Sequence, residues 1–251
     1  EEVHESSAFT GELRHYQRRA LAWLQFLAKL GLGGCLADDM GLGKTATTLA
    51  HLVDRPGPHL VVCPLSVVHN WETEARRFTP TLPVTVFHGG GRHDSVDDTA
   101  PTGLVVTTYG LLARDLEKLA AIEWSTVVLD EAQFVKNAST KAARAARKLR
   151  ARQRVALTGT PVENRLAELW AILDWTNPGM LGSRERFRHR YSKPIERGDD
   201  EQLAADAAAS LKALTQSFVL RRSKADRQLV PELPDKIEQV AYAGLTREQA
   251  T

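Results

Sequence analysis

The stretch DDMGLGKT, Asp38 to Thr45, sets glycines, a lysine and a hydroxyl at the spacing of a phosphate-binding turn. It follows the short apolar run GGCLA and opens a helix-period segment, which is the context such a turn requires. Gly41 and Gly43 permit a tight backbone path that aims amide N–H groups at phosphate oxygens, and the helix N-terminus adds partial positive charge. Asp38, Asp39, Met40 and Leu42 complete the loop. Lys44 can neutralise the β and γ phosphates of a nucleoside triphosphate, and the Thr45 hydroxyl can ligate Mg²⁺. Asp38 replaces the first glycine of the strict GxxxxGK(S/T) form, so the match is to a looser variant. The plain alternative, a glycine-rich strand–helix turn with an incidental lysine, is weakened by strand, helix and GKT occurring together. Such a site also needs a metal ligand and a group that orients water. DEAQ, Asp130 to Gln133, ends another apolar run and supplies both: Asp130 to hold Mg²⁺ through water, Glu131 to polarise the nucleophile.

The elements that must position these residues alternate in type. Leu13, Tyr16, Ala20, Leu24, Leu27 and Ala28 recur at helical steps, and Gly31, Gly33 and Gly34 stop that helix. Lys44 to about Val53 reads as the next helix. Compact β-branched runs follow at Leu60–Cys63, Val84–Phe87, Leu104–Thr108, Ser125–Asp130 and Arg154–Gly159. Helical segments at Leu111–Ala121 and Ser139–Arg150 lie between some of them, and residues Asp94 to Thr102 read as a polar loop. Strand and helix in alternation imply an α/β fold, a parallel sheet with helices on both faces. After Thr160 the pattern turns helical, at Leu166–Trp175 and Gln202–Leu214, with no strand run expected before Lys236–Ala243.

With these residues in view, the chain resembles helicase superfamily two through GLGKT, DEAQ and TGTP (Thr158 to Pro161). LVVCPLSVVHNW, DEAQFVKN, LTGTPVENRLAELWAILDW, PGMLGS and VLRRSKAD make it similar to the first lobe of the SWI/SNF-type DNA translocases, from Leu13 to about Gln249. The resemblance implies a RecA-like lobe of the P-loop NTPase class carrying a helical insertion. It places LRHYQ (Leu13 to Gln17) as an adenine-recognition segment, with Gln17 on the base, although His15 stands where proline is usual and Asp39 where glutamate is usual. It implies phosphate contacts on DNA from Ser66, Asn70, Thr108 and Tyr109, and from backbone near His88 and Gly89. Such contacts position a duplex without reading its sequence. Gln133, Thr158, Gly159 and Thr160 would couple phosphate state to the DNA surface.

Composition narrows the remaining classes. The 251 residues are 43% hydrophobic and 25% charged, ordinary for a folded domain, and the net charge of +2 announces no polycation. Cys35 and Cys63 make no disulfide framework, and neither cysteines nor His51, His69 and His88 show zinc-ligand spacing. No apolar stretch approaches the roughly 18 residues of a membrane span. Ser66 lacks the flanking glycines of a hydrolase nucleophile. The basic residues Lys141, Arg144, Arg147, Lys148, Arg150, Arg152 and Arg154 read as a solvated helix face rather than a DNA stripe; Arg184–Lys193 and Arg221–Lys224 are open to both readings. Trp170 and Trp175 read as core.

The expected organisation is a nucleotide-binding lobe over residues 1–165, a helical insertion over 166–233, and a returning strand with the start of a connection over 234–251. The expected activity is that of an ATP- and Mg²⁺-dependent motor on double-stranded DNA, weak or inactive without a second RecA-like lobe. The resemblance supplies that partner lobe and its arginine fingers as expectations. Neither a membrane nor structural zinc is expected, and the location would be cytoplasmic and nucleoid-associated in a bacterium or nuclear in a eukaryote. The competing expectation is a nucleotide-gated binding module with little hydrolysis. A phosphate-loop kinase or a strand-separating RNA helicase fits TGTPVEN beside DEAQ less well.

Overall fold

The computed structural model describes residues 4–89, 102–159, 166–198 and 200–225. Among them, strands β1 (Gly34–Leu36), β2 (His59–Cys63), β3 (Val84–Val86), β4 (Leu104–Thr108), β5 (Glu123–Leu129), β6 (Arg150–Leu157) and β7 (Val219–Leu220) form one sheet, ordered β3-β4-β2-β5-β6-β1-β7. Every pairing in it is parallel. The helices are α1 (His15–Lys29), α2 (Lys44–Val53), α3 (Val68–Phe78), α4 (Tyr109–Arg114), α5 (Leu116–Ala121), α6 (Lys141–Lys148), α7 (Leu166–Thr176), α8 (Arg184–Phe187), α9 (Lys193–Arg197) and α10 (Glu201–Thr215).

Burial on two faces explains the unbroken apolar strands. Successive side chains point to opposite faces, so Leu60 and Val62 of β2 join one cluster while Val61 and Cys63 join the other. The first cluster packs under α4, α6 and α7 through Leu112, Ala143, Ala146 and Leu173. The second packs under α1, α2 and α3 through Leu24, Leu49 and Trp71. A strand covered on both sides has no position at which water selects a polar residue.

Three elements differ from the sequence reading. The expected helix over Leu111–Ala121 is two helices, α4 and α5, parted at Asp115. Strand β6 begins at Arg150, where RARQR carries no apolar run, because its backbone pairs with β5 from Glu123↔Arg150 onward. Only Gln153 of that polar stretch is buried, and its amide donates to the carbonyls of Leu24 and Leu32. Strand β7, two residues long, was not expected at all; Cys35↔Val219 and Leu36↔Leu220 place it beside β1. The predicted strand at 236–243 and all of the predicted polar loop, Asp94 to Thr102, except Thr102 lie outside the described residues.

The basic stripe divides by role. Lys141, Arg144 and Lys148 are exposed while Ala143, Ala145 and Ala146 of the same helix are buried. Arg147 instead pairs with Asp174 at 2.5 Å, and Arg154 donates to the carbonyls of Leu149 and Trp175. Both guanidiniums lie near tryptophan rings of α7, Trp170 and Trp175, each 5.8 Å from the ring centroid. A partly exposed ion pair such as Arg147–Asp174 contributes about 0–1 kcal/mol, whereas truncating a buried aromatic costs about 3–5 kcal/mol. Buried Trp175, whose indole donates to the Ala146 carbonyl of α6, therefore contributes more to seating α7 than the Arg147–Asp174 pair does.

Candidate functional site

Strand order brings the motifs together. Strands β5, β6, β1 and β7 lie side by side and parallel, so the segments after them leave the same edge of the sheet. Those segments are DEAQ after β5, Thr158-Gly159 after β6, the Asp38–Thr45 loop after β1, and Arg221–Lys224 after β7. The carboxyl edge of a parallel sheet is where ligands bind in this architecture.

The loop has the backbone that phosphate binding needs. Gly41 and Gly43 have φ of +83° and +75°, left-handed values that strain a side-chain-bearing residue. Gly43 caps α2, so Lys44 and Thr45 open that helix. Crowding reinforces the choice of glycine: a Cβ on Gly43 would sit 2.2 Å from Nε2 of Gln17. Lys44 Nζ donates to the Asp38 carbonyl at 2.6 Å and to the Asp39 carbonyl at 3.3 Å. Burial lowers its affinity for the proton, and the carboxylates of Asp38, Glu131, Asp130 and Asp39 oppose that effect. Leu42 is buried and Met40 exposed. Gln17 is buried against the loop, donating to the Leu42 carbonyl at 3.2 Å and accepting from the Arg14 amide at 2.8 Å.

The acidic pair is held by its neighbours. Asp130 accepts from the Trp71 indole at 2.8 Å and from the Glu131 amide at 2.9 Å, while its own carbonyl accepts from the Tyr109 hydroxyl at 2.7 Å. Burial pushes the Asp130 carboxyl up, and the Trp71 hydrogen bond opposes that. Glu131 is the one non-glycine residue with positive φ, +50°, among the described residues. A left-handed glutamate is strained and needs surrounding structure to hold it. The Gln133 amide donates to Glu131 at 2.6 Å and accepts from the Thr158 hydroxyl at 3.1 Å. Thr158, Gln133 and Glu131 thus form one hydrogen-bonded row across β6 and β5. Gly159 packs on the loop; a Cβ there would lie 2.6 Å from Met40 and 3.7 Å from Lys44 Nζ. Thr160 lies outside the described residues.

Two placements bear on the sequence reading. Asp38 and Asp39 turn their carboxylates to the segment after β7 and not into the loop's phosphate cradle. Buried Arg222 grips the Asp38 carboxylate and the Tyr16 carbonyl, with its guanidinium 5.2 Å from the Tyr16 ring centroid. Asp39 accepts from Ser223 Oγ at 3.2 Å and from the Lys224 amide at 2.9 Å. Ser66 and Asn70, the expected DNA contacts after β2, are exposed. His88 and Gly89 are exposed too. Thr108 and Tyr109 are not available in the same way: both are buried, Thr108 capping α4 through the Leu111 amide and Tyr109 holding Asp130. Tyr109 also stacks on exposed Phe134 at 5.1 Å. Sequence reasoning missed the roles of Trp71, Phe134 and Arg222. Trp71 closes LVVCPLSVVHNW, Phe134 lies in DEAQFVKN and Arg222 in VLRRSKAD, but these blocks gave no role to any of the three and did not say which arginine is buried.

Fold and site together define a RecA-like lobe of the P-loop NTPase class. The SNF2-related domain family matches residues 16–251, and the chain belongs to that family. It is similar to the solved Sulfolobus solfataricus SWI2/SNF2 ATPase core in complex with dsDNA, with a TM-score of 0.85 and 43% identity, over 100% of this chain and 52% of that one. YwqA of Bacillus subtilis (strain 168) is 44% identical over 98% of this chain and 27% of its own length. The chromatin-remodeling ATPase INO80 of Mus musculus is 36% identical over 99% of this chain and 17% of its own. The chain therefore spans about half of the solved core and about a quarter or less of these curated relatives. No helix among the described residues is long and apolar enough to cross a membrane.

Proposed function

We propose that this chain is the ATP-binding lobe of a double-stranded-DNA translocase, which hydrolyses ATP when joined to a second RecA-like lobe. One observation carries the reading: adjacent strands bring Lys44, the Asp130–Glu131 pair and Thr158 to one edge, with Gln133 hydrogen-bonding Glu131 to Thr158. Amides at Gly41 to Lys44 and the Lys44 ammonium receive the phosphates, Gln17 faces the base, and Glu131 accepts a proton from the attacking water. Thr45 and Asp130 fit Mg²⁺; both Asp130 oxygens already accept a hydrogen bond, which suits contact through coordinated water. When bound, the cation offsets phosphate charge. Among the described residues no cluster of three or more His, Cys, Asp or Glu forms a cage, which suits an ion that keeps several waters. The Thr158–Gln133–Glu131 row links phosphate state to the sheet edge, where Ser66 and Asn70 are exposed for duplex phosphates.

The sheet-edge contacts are short polar groups on a chain of net charge +2, so DNA affinity would come from local loops. The test is the ATPase rate of the full-length protein at one fixed salt concentration with duplex DNA, single-stranded DNA or RNA. Duplex DNA is expected to stimulate hydrolysis well above the other two. Equal rates with and without duplex would overturn the translocase reading and favour a nucleotide-gated binding module.

A further inference from the structure

We propose that residues Arg222 to Lys224 are a wall of the nucleotide site, in which Lys224 supplies a second ammonium to the polyphosphate and Arg222 positions it. This deepens the ATP-site reading above and rests on it. The segment follows β7, which lies next to β1, so it leaves the sheet beside the phosphate loop. Three ties then fasten it. The Asp39 amide donates to the Arg222 carbonyl at 3.1 Å; the Asp39 carboxylate accepts from Ser223 and from the Lys224 amide; and the Arg222 guanidinium forks onto the Asp38 carboxylate. Arg222 is 5% exposed and Asp38 1%.

These ties direct the lysine. A Cβ built on Gly41 would meet Lys224 Nζ at 2.9 Å and Cε at 3.5 Å, so the ammonium lies over the loop whose amides face phosphate. Lys44 Nζ lies 3.7 Å from where a Cβ on Gly159 would sit and donates to the Asp38 and Asp39 carbonyls. The Asp130 and Glu131 carboxylates also act on Lys44, so a polyphosphate entering beside that pair gains from a second cation. The fork on Asp38 matters for two reasons. It neutralises a buried carboxylate at the head of the loop, and through the Tyr16 carbonyl it fixes the loop's distance from Gln17. A lysine in place of Arg222 keeps the charge and loses the fork.

The experiment titrates a fluorescent ATP analogue with Mg²⁺ into the full-length protein, without DNA, alongside thermal melts and a separate duplex-binding titration. Lys224→Ala is expected to weaken analogue binding about tenfold, with Lys224→Arg restoring it to within about twofold. Lys224 is exposed, so its removal leaves the fold intact. Arg222→Lys is expected to weaken binding about tenfold even at temperatures well below its melt. A merely structural Arg222 would lower the melting temperature and leave the affinity of the folded protein unchanged. Unchanged analogue affinity in Lys224→Ala overturns the proposal, as does a loss confined to duplex affinity. If Arg222→Lys does not fold, Lys224→Ala still decides. Failure of the unsubstituted protein to bind the analogue would instead overturn the ATP-site reading itself.

Discussion

Glu131→Gln in the full-length protein is expected to cut duplex-stimulated ATP hydrolysis by about 10²–10⁴-fold while changing nucleotide affinity by less than about threefold. The amide keeps the size of the side chain and can still meet Gln133, which sits 2.6 Å from the Glu131 carboxylate. It cannot take a proton from water, and the substitution also removes the carboxylate charge that acts on Lys44. Glu131 holds a left-handed backbone that glutamine tolerates no worse, so the turn after β5 should persist. Lys44→Ala is the informative contrast. It deletes the cation expected on the phosphates, so both affinity and rate should fall, the rate by about 10²–10³-fold. Measured by phosphate release and analogue titration, the two variants should separate: one loses chemistry alone, the other chemistry and binding. Hydrolysis by Glu131→Gln within about fivefold of the unsubstituted protein would remove Glu131 from the role of base.

How much of this was legible beforehand depends on the kind of residue. The glycine-rich loop could be read because backbone geometry dictates residue type, glycine where φ is positive at Gly41 and Gly43, and DEAQ because it follows the apolar run that became β5. The two-faced sheet was legible because burial on both sides leaves an unbroken apolar run. The misses have a common physical cause, which is that a tertiary partner and not a local pattern decides the residue. Arg150–Arg154 extends a strand without any apolar signal because β5 supplies its ladder and Gln153 finds carbonyls in and just after α1. Strand β7 is two residues long, too short for periodicity to register. Apart from those misses, Tyr109 sits in a segment expected to touch DNA, and its hydroxyl donates to the Asp130 carbonyl. Arg222 is one of two adjacent arginines, and its tertiary partners, the Asp38 carboxylate and the Tyr16 carbonyl, mark it as the buried one.

Acid should unfold this lobe earlier than its carboxylates alone require, because two histidines are buried neutral. Burial pushes His51 and His59 down from 6.5 to about 4 each. Arg55 adds repulsion to both. Hydrogen bonds resist the shift: His51 Nε2 lies 2.7 Å from Gln153 Oε1, and His59 Nε2 lies 3.2 Å from the Arg55 carbonyl. Each ring's Nδ1 is buried with no partner, so a proton added there would be an uncompensated charge. A histidine whose folded value lies below its unfolded one contributes stability that is complete above the unfolded 6.5 and is lost as pH falls toward the folded value. The window is therefore from about pH 6.5 to about pH 4. Within it each histidine removes about 1.4 kcal/mol per pH unit once the unfolded chain binds the proton and the folded one does not. Two such groups can consume several kcal/mol, comparable with the roughly 5–15 kcal/mol that holds a domain folded. Below about 4.5, Glu5, held near 2 chiefly by its hydrogen bond to Arg18, adds its own loss in the same direction. Urea midpoints at pH 7.5, 6.0 and 5.0 (about 1.5 and 1 unit apart) should fall progressively, with the steeper loss in the lower interval. His51→Gln, which keeps a donor for Gln153, should remove about half of that slope. A pH dependence unchanged by the substitution would mean that His51 does not carry the acid sensitivity.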